Sequence, residues 1–444
     1  MLGFYVHMAV KSLRATPLIS LVTVFAIGIG VTVSTTIISV ENILTRDPFP
    51  AKSDKLFNVR MDSWDPDSQF FDVAPGEPPK QITYRDMVGI MESDIPRHQT
   101  GVGTGLSFVF PENDLVRPYR AAVQLVHAGF FPLTQAPFRY GQGWNQAADR
   151  NRDPVCVLSQ EANEKLFGGE DSVGRQLRIG KRNFSVIGVL DHFNPTPKYY
   201  DTINDVFGDT CEILVPFDFI KEDDTGLSIS GNTDNWGPRV PRDDTAKFLA
   251  ATEMCWIQFW VELDSGKRRA YHDYLDAYAA GQRELGRFPR ENNNRVTPLL
   301  NWLAQRNDSA EQTRAMAWIS VMFLLICALN ITGLLLGKFL SRSGLVGVHR
   351  ALGASKRSIF AQHLLECWLL GIAGGLAGLV ASGALLRFIN AAVPSSIFHD
   401  QVFSVEPSMF WLALGLSLIA SLVAGVYPAW RACQIAPAVQ LKLQ

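Results

Sequence analysis

Residues 315–337 read AMAWISVMFLLICALNITGLLLG, twenty-three positions without Asp, Glu, Lys or Arg. Wound as a helix at about 1.5 Å per residue, the stretch rises roughly 34 Å, enough to cross a hydrocarbon core of about 30 Å. Three more stretches share this property: residues 15–40 (26 positions), 367–386 (20) and 407–430 (24). Buried helices of soluble domains are usually shorter than this and carry a polar face. The pattern predicts four transmembrane helices, at 15–40, 315–337, 367–386 and 407–430. The first is too long for the roughly 7–15 residue apolar region of a signal peptide, and Val40-Glu41-Asn42-Ile43 offers no small-x-small cleavage site. It reads as an uncleaved anchor.

Around these spans the charge is uneven. Residues 1–14 carry Lys11 and Arg14, residues 338–365 carry Lys338, Arg342, Arg350, Lys356 and Arg357, and residues 431–444 carry Arg431 and Lys442, with no acid in any of the three. Cations gather on the cytoplasmic side of membrane helices. Both termini and the 338–366 connection are therefore expected in the cytoplasm, with 41–314 and the short link 387–406 outside. The whole chain of 444 residues has 41 Lys and Arg against 43 Asp and Glu, so it has no overall basic field to hold nucleic acid. An apolar share of 47% excludes a disordered chain, and 6 Cys are too few for a disulfide scaffold of this length.

The fold class that follows is an α-helical membrane protein with four transmembrane helices and a mixed α/β extracytoplasmic domain inserted between helices 1 and 2. In the inserted segment, 55–59 reads as a strand and 83–92 as a helix capped by Thr83. An apolar run at 153–158 ends in Ser159, which caps a helix to Phe167 closed by Gly168-Gly169. A hairpin signal spans 175–190 around Gly180-Lys181, further strands fall at 213–216 and 255–263, and an amphipathic helix at 266–285. Residues 222–247, rich in Asp, Gly, Asn and Pro, are expected to form a surface insertion. A second subdomain is expected at about 150–220. Residues 1–14 read as an amphipathic segment on the inner leaflet.

Catalytic and metal motifs are absent from the sequence. Gly169 to Gln176 has P-loop glycine spacing, but Arg175 and Gln176 replace the Lys and hydroxyl residue that would hold phosphate and Mg²⁺. Gly226-Leu-Ser-Ile-Ser-Gly231 lacks the glycine placement of a nucleophile elbow. His98, His127, His192 and His272 have no ligand spacing. Cys156, Cys211 and Cys255 read as buried thiols, with a Cys211–Cys255 bridge left open. The expectation is a non-enzyme with no metal. The spans hold only mild polar groups such as Ser34, Thr35, Thr36, Asn330 and Thr332, without the carboxylates or Arg of an ion relay. Small residues recur at close-packing spacing: Gly333/Gly337, Gly371/Gly375 and Gly374/Gly378.

The connection LSRSGLVGVHRALGASKRSIFAQHLLE at 340–366 reads as a helix, a Gly353-Ala354-Ser355 break and a basic second helix, together a compact cytoplasmic knob. Its Val348 to Ser355 run resembles the IRKALGAS segment of the MacB/FtsX/LolC-like (type VII) ABC transporter permeases. The end of the chain, with Pro428, Ala429, Arg431 and Pro437, is similar to the family's GxxPAxRAAxLxPxxALR. The 155–159 and 166–174 passages resemble VVVLSE and LFGGEDPVG of the MacB-type periplasmic domain. Leu345 and His349 depart from the family pattern, standing where relatives carry Glu and Arg.

The resemblance implies a permease subunit driven by a separate ATPase, in two copies, which would hold the ATP and Mg. It also implies a second permease, a paralogue or another copy of this chain, an adaptor as a further partner, and residence in the inner membrane among its lipids. ATPase coupling would fall to Arg350, Ala351, Leu352, Gly353, Ala354, Ser355, Lys356 and Arg357, which would drive efflux by mechanotransmission. The other reading is an FtsX-like regulator of a periplasmic wall hydrolase.

Overall fold

The computed structural model describes residues 2–68, 76–111, 117–204, 206, 210–222, 225–306, 309–341, 343–351, 353–392 and 407–434. These fall into two compact units, one of Met1–Thr45 with Asn307–Gln444 and the other of Arg46–Arg306.

The chain starts in the first unit with α1 (Leu2–Ala15) and α2 (Pro17–Thr45). It then builds the inserted unit. Its strands are β1 (Leu56–Arg60), β2 (Ile82–Thr83), β3 (His98–Phe110), β4 (Tyr119–Val126), β5 (Phe138–Gly141), β6 (Val155–Leu158) and β7 (Gln176–Ile179). These are followed by β8 (Arg182–Leu190), β9 (Ile213–Pro216), β10 (Ser228–Ser230), β11 (Asp234–Asn235), β12 (Met254–Glu262) and β13 (Arg295–Pro298). Its helices are α3 (Tyr84–Ile90), α4 (Phe130–Thr134), α5 (Gln146–Asn151), α6 (Gln160–Phe167), α7 (Thr245–Ala250), α8 (Lys267–Glu284) and α9 (Leu299–Arg306).

One sheet runs through the inserted unit in the order β13-β1-β12-β3-β4-β9-β6-β8-β5. Its pairs are antiparallel except β4 with β9 and β6 with β8. The β12 strand is buried at all nine positions, with Phe259 and Val261 in one core and Trp260 in the other. A strand buried along its whole length needs cover on both faces. Phe184, Phe217 and Tyr271 fill the first core, and Phe130, Trp144 and Trp302 the second.

Local signals placed several elements where the sequence put them. Thr83 Oγ1 accepts from the Asp86 amide at 3.1 Å and opens α3. Ser159 Oγ accepts from Ala162 at 3.1 Å, and Gly168, at φ 72°, closes α6 in the left-handed region that glycine tolerates. Strands β7 and β8 pair as the expected hairpin. Two expectations need correction. Residues 222–247 are not a bare surface loop: β10 extends β3, β11 extends β12, and Leu227 and Ile229 are buried under them. The 150–220 region is not separately packed, because β9 continues the sheet from β4 and the first core contains both Leu125 and Phe184. Cys156, Cys211 and Cys255 are thiols without a disulfide among the described residues, and Cys211 Sγ donates to Gln124 Oε1 at 3.0 Å.

The first unit resumes with α10 (Ser309–Ser341), α11 (Ser343–Ala351), α12 (Lys356–Ala392) and α13 (Pro407–Cys433). Among the described residues four helices are long and apolar enough to cross a membrane, those of α2, α10, α12 and α13. Within this unit α2 and α13 each pack on both α10 and α12, so α10 and α12 face each other across the diagonal of the bundle. All four helices run past the uncharged stretches that announced them. The extension matters most for α12, in which the second basic helix of the connection and the third span are one element.

Candidate functional site

The 338–366 connection has two parts, an exposed tip and a buried base. At the tip, Gly353 takes φ 98° and its amide donates to the Arg350 carbonyl at 3.1 Å, which ends α11. Ser355 then caps α12, its Oγ accepting from the Ser358 amide at 3.2 Å. The small residues are needed here because the chain reverses within a few positions, one of them in the left-handed region. Val346 and Ile359 meet across the turn and pack on Cys433 at the end of α13. Gly353, Ser355, Lys356 and Arg357 are exposed, as is Val348 at 52%. Arg350 and Ala354 are half-buried. Ala351 ends α11, while Leu352 and Pro437 lie outside the described residues. Leu345 and His349 sit on α11.

The base was not legible in the sequence. Lys338, at the end of α10, forms an ion pair with Glu366 of α12, and both side chains are withdrawn from solvent. Lys338 Nζ also donates to Ser20 Oγ of α2 at 3.2 Å, and Ser12 Oγ of α1 lies 3.0 and 3.1 Å from the two Glu366 oxygens. His363 lies one turn before Glu366, its ring 4.1 Å from that of Phe339 and its Nδ1 3.8 Å from Glu366 Oε2. The spans were delimited by absence of charge, so a carboxylate inside the bundle was not expected. The structure corrects this: opposite charges on two helices neutralise each other and enter together. Lys338, counted among the cations of the connection, thus has its side chain buried inside the bundle.

The glycines divide into two groups. A Cβ on Gly371 or Gly375 would collide with Ser421 or Ser417 of α13, and one on Gly374 with Ile27 of α2. At Gly378 it would stand 2.8 Å from the Gly28 carbonyl oxygen. Gly333 and Gly337 on α10 have nothing within 4 Å among the described residues. Pro428 and Ala429 are buried in α13 and Arg431 is exposed. Gly425, ahead of them, abuts Cys367 of α12.

In the inserted unit a cavity of about 460 Å³ is lined by Arg97, His98, His127, Asp149, Arg150 and Asp218, among others. The His127 ring stacks on Phe217 at 5.0 Å and its Nδ1 accepts from the Gly101 amide at 3.2 Å. Burial, which penalises the imidazolium, lowers its pKa to about 4. Asp149 accepts from the Ala128 amide at 2.7 Å and from Trp144 Nε1 at 2.8 Å, yet burial still raises its pKa to about 6.

These features define a class: a multi-pass inner-membrane protein with an extracytoplasmic α/β domain between its first and second spans. The family described as MacB-like periplasmic core domain matches residues 20–270, and that described as FtsX-like permease C-terminal matches 317–437. The chain belongs to the MacB/FtsX-like (type VII) family of ABC transporter permeases.

It is 23% identical over 371 residues to the macrolide export ATP-binding/permease protein MacB of Syntrophobacter fumaroxidans, covering 73% of this chain and 50% of that protein. To the pyoverdine export ATP-binding/permease protein PvdT of Pseudomonas putida it is 24% identical over 369 residues, covering 81% and 48%. The chain thus spans about half the length of the curated relatives it matches. Among solved structures, the periplasmic region of MacB from Actinobacillus actinomycetemcomitans is 10% identical and aligns over 61% of this chain and 97% of that one, with a TM-score of 0.36.

Proposed function

We propose that the chain is the transmembrane subunit of an ABC transporter, coupling ATP hydrolysis by a separate ATPase to movement of its inserted domain and so extruding a substrate by mechanotransmission. The observation that carries the reading is the continuity of α12 from Lys356 to Ala392. Thirty-seven residues make a rod of about 55 Å. Its first turn is the exposed basic tip, so a partner that displaces the tip displaces the whole span. Val348 supplies an exposed apolar contact for that partner, and Lys356 and Arg357 supply charge.

The subunit contributes no ATP chemistry of its own in this reading. The ATP and Mg sit on two ATPase copies, and a second permease, a paralogue or another copy of this chain, completes the membrane part. In this reading the termini and the tip face the cytoplasm, which the distribution of Lys and Arg supports. Movement leaves the bundle through α2 and α10, the two helices whose chain continues into the inserted domain. An adaptor on the outer side would extend the path. Export of macrolide and of pyoverdine, for which two relatives are named, makes a bulky amphiphile the first substrate class to test.

Affinity isolation in mild detergent, with every bound chain identified, tests this. Retention of an ABC ATPase, lost on deletion of residues 353–357 while membrane insertion persists, is the expected result. Unchanged ATPase retention in the deletion refutes docking at the tip. Capture of a wall hydrolase without dependence on that tip favours regulation over transport.

A further inference from the structure

The buried base of the coupling segment does more than neutralise two charges. Its position is unusual because α10 and α12 have α2 and α13 as their main neighbours rather than each other. The Lys338–Glu366 pair ties this diagonal directly. The same two side chains collect Ser20 from α2 and Ser12 from α1, so four helices meet at one polar point. The pair also brackets the tip: α11, the turn and the first ten residues of α12 lie between Lys338 and Glu366 in the chain.

A buried ion pair is a poor source of stability, since apolar residues of similar volume are often as good or better. What it supplies is direction. Hydrogen bonds from Ser12 and Lys338 fix where the carboxylate lies, whereas an apolar contact would let helices slide. The tip is also held by the small Val346–Ile359–Cys433 cluster and by Phe360, which packs on the bundle core. His363 stiffens the joint sterically, its ring against Phe339 and both ring nitrogens without a hydrogen-bond partner among the described residues.

We infer that Lys338 and Glu366, seated by Ser12 and Ser20, are positioning residues: a rigid joint at the base of the coupling hairpin that passes a push on the tip to α1, α2 and α10 as well as along α12. The inference deepens the proposed coupling role and rests on it for the source of the push. Without the joint, a push on the tip still moves α12 and its contact with α13 at Cys433, but it is passed less directly to α1, α2 and α10.

Two measurements test it on the full chain in detergent. In the purified protein, Glu366→Gln leaves Lys338 buried without its counter-charge, and amide exchange across residues 343–360 is expected to quicken roughly tenfold or more. In the complex with the ATPase that co-purifies, the same variant is expected to lower the kcat for ATP hydrolysis while KM for ATP and the amount of ATPase bound stay constant. The exchanged pair, Lys338→Glu with Glu366→Lys, is expected to restore both. Should Glu366→Gln fail to insert, Lys338→Met with Glu366→Met keeps apolar packing and is expected to bind ATPase with the same loss of kcat. Unchanged exchange in Glu366→Gln, or unchanged turnover in an intact complex, overturns the joint. A wild-type chain that retains no ATPase sinks the coupling reading instead, and the exchange measurement still decides whether the joint exists.

Discussion

Substituting Leu at Gly378 and, separately, at Gly337 tests how the bundle is held. The two positions carry the same residue type on long helices and differ in what surrounds them. A Cβ at Gly378 would stand 2.8 Å from the Gly28 carbonyl oxygen and 2.8 Å from Val31 Cβ. An ordinary contact needs about 0.6 Å more, and a Leu needs room for three further carbons. The nearest obstacle is backbone, so α2 and α12 must part, also stretching the bond from Thr32 Oγ1 to the Gly378 carbonyl, now 3.1 Å. Overpacking of this kind costs about 1–3 kcal/mol, and more where backbone must move. Gly337 has nothing within 4 Å among the described residues, so Leu there gains roughly 1 kcal/mol of helix propensity without a clash with any of them.

The two variants should therefore differ by about 3 kcal/mol, more than a hundredfold in the ratio of folded to unfolded protein. Thermal or SDS unfolding of the monomeric chain in detergent, followed by Trp fluorescence, reads the difference. Equal midpoints would refute the α2–α12 packing. A Gly337→Leu variant stable as a monomer but unable to form the larger complex would show that the open face of α10 meets another chain.

The cavity pair of the inserted domain makes a prediction about pH. His127 has its pKa lowered from 6.5 to about 4, so the stability it contributes is present above pH 6.5 and lost as pH falls towards 4. Asp149 is raised from 3.8 to about 6, so its contribution is present below pH 3.8 and lost as pH rises through 6. The two trends oppose each other between pH 4 and 6, and Asp149→Asn should unmask the histidine: stability then falls by up to about 3 kcal/mol from pH 6.5 to 4, read by urea titration. A pH-independent midpoint in that variant would contradict the burial of His127. Ser159→Ala should cost about 1 kcal/mol by removing the cap of α6, and Ser159→Thr should recover most of it in the same titration. Faster exchange confined to the α6 amides would locate the loss.

Much of this protein was determined by short stretches of its sequence. Twenty or more uncharged residues specify a membrane helix wherever they occur. Thr83, Ser159 and Gly168 each satisfy or release backbone groups within four positions, so caps and helix ends were legible one segment at a time. The Gly353-Ala354-Ser355 reversal belongs to the same class.

Pairings between distant segments were settled only by the tertiary structure. Ser12 and Glu366 are 354 positions apart, and no period or spacing announces their contact. Residues 228–230 and 234–235 became strands because β3 and β12 offered unpaired backbone, although their composition reads as loop. Gly333 and Gly378 look alike as letters, yet one faces open space and the other a carbonyl of α2. Hydrophobicity and backbone conformation are properties of contiguous residues, while charge neutralisation, close packing and edge pairing require a partner that only the folded chain brings near.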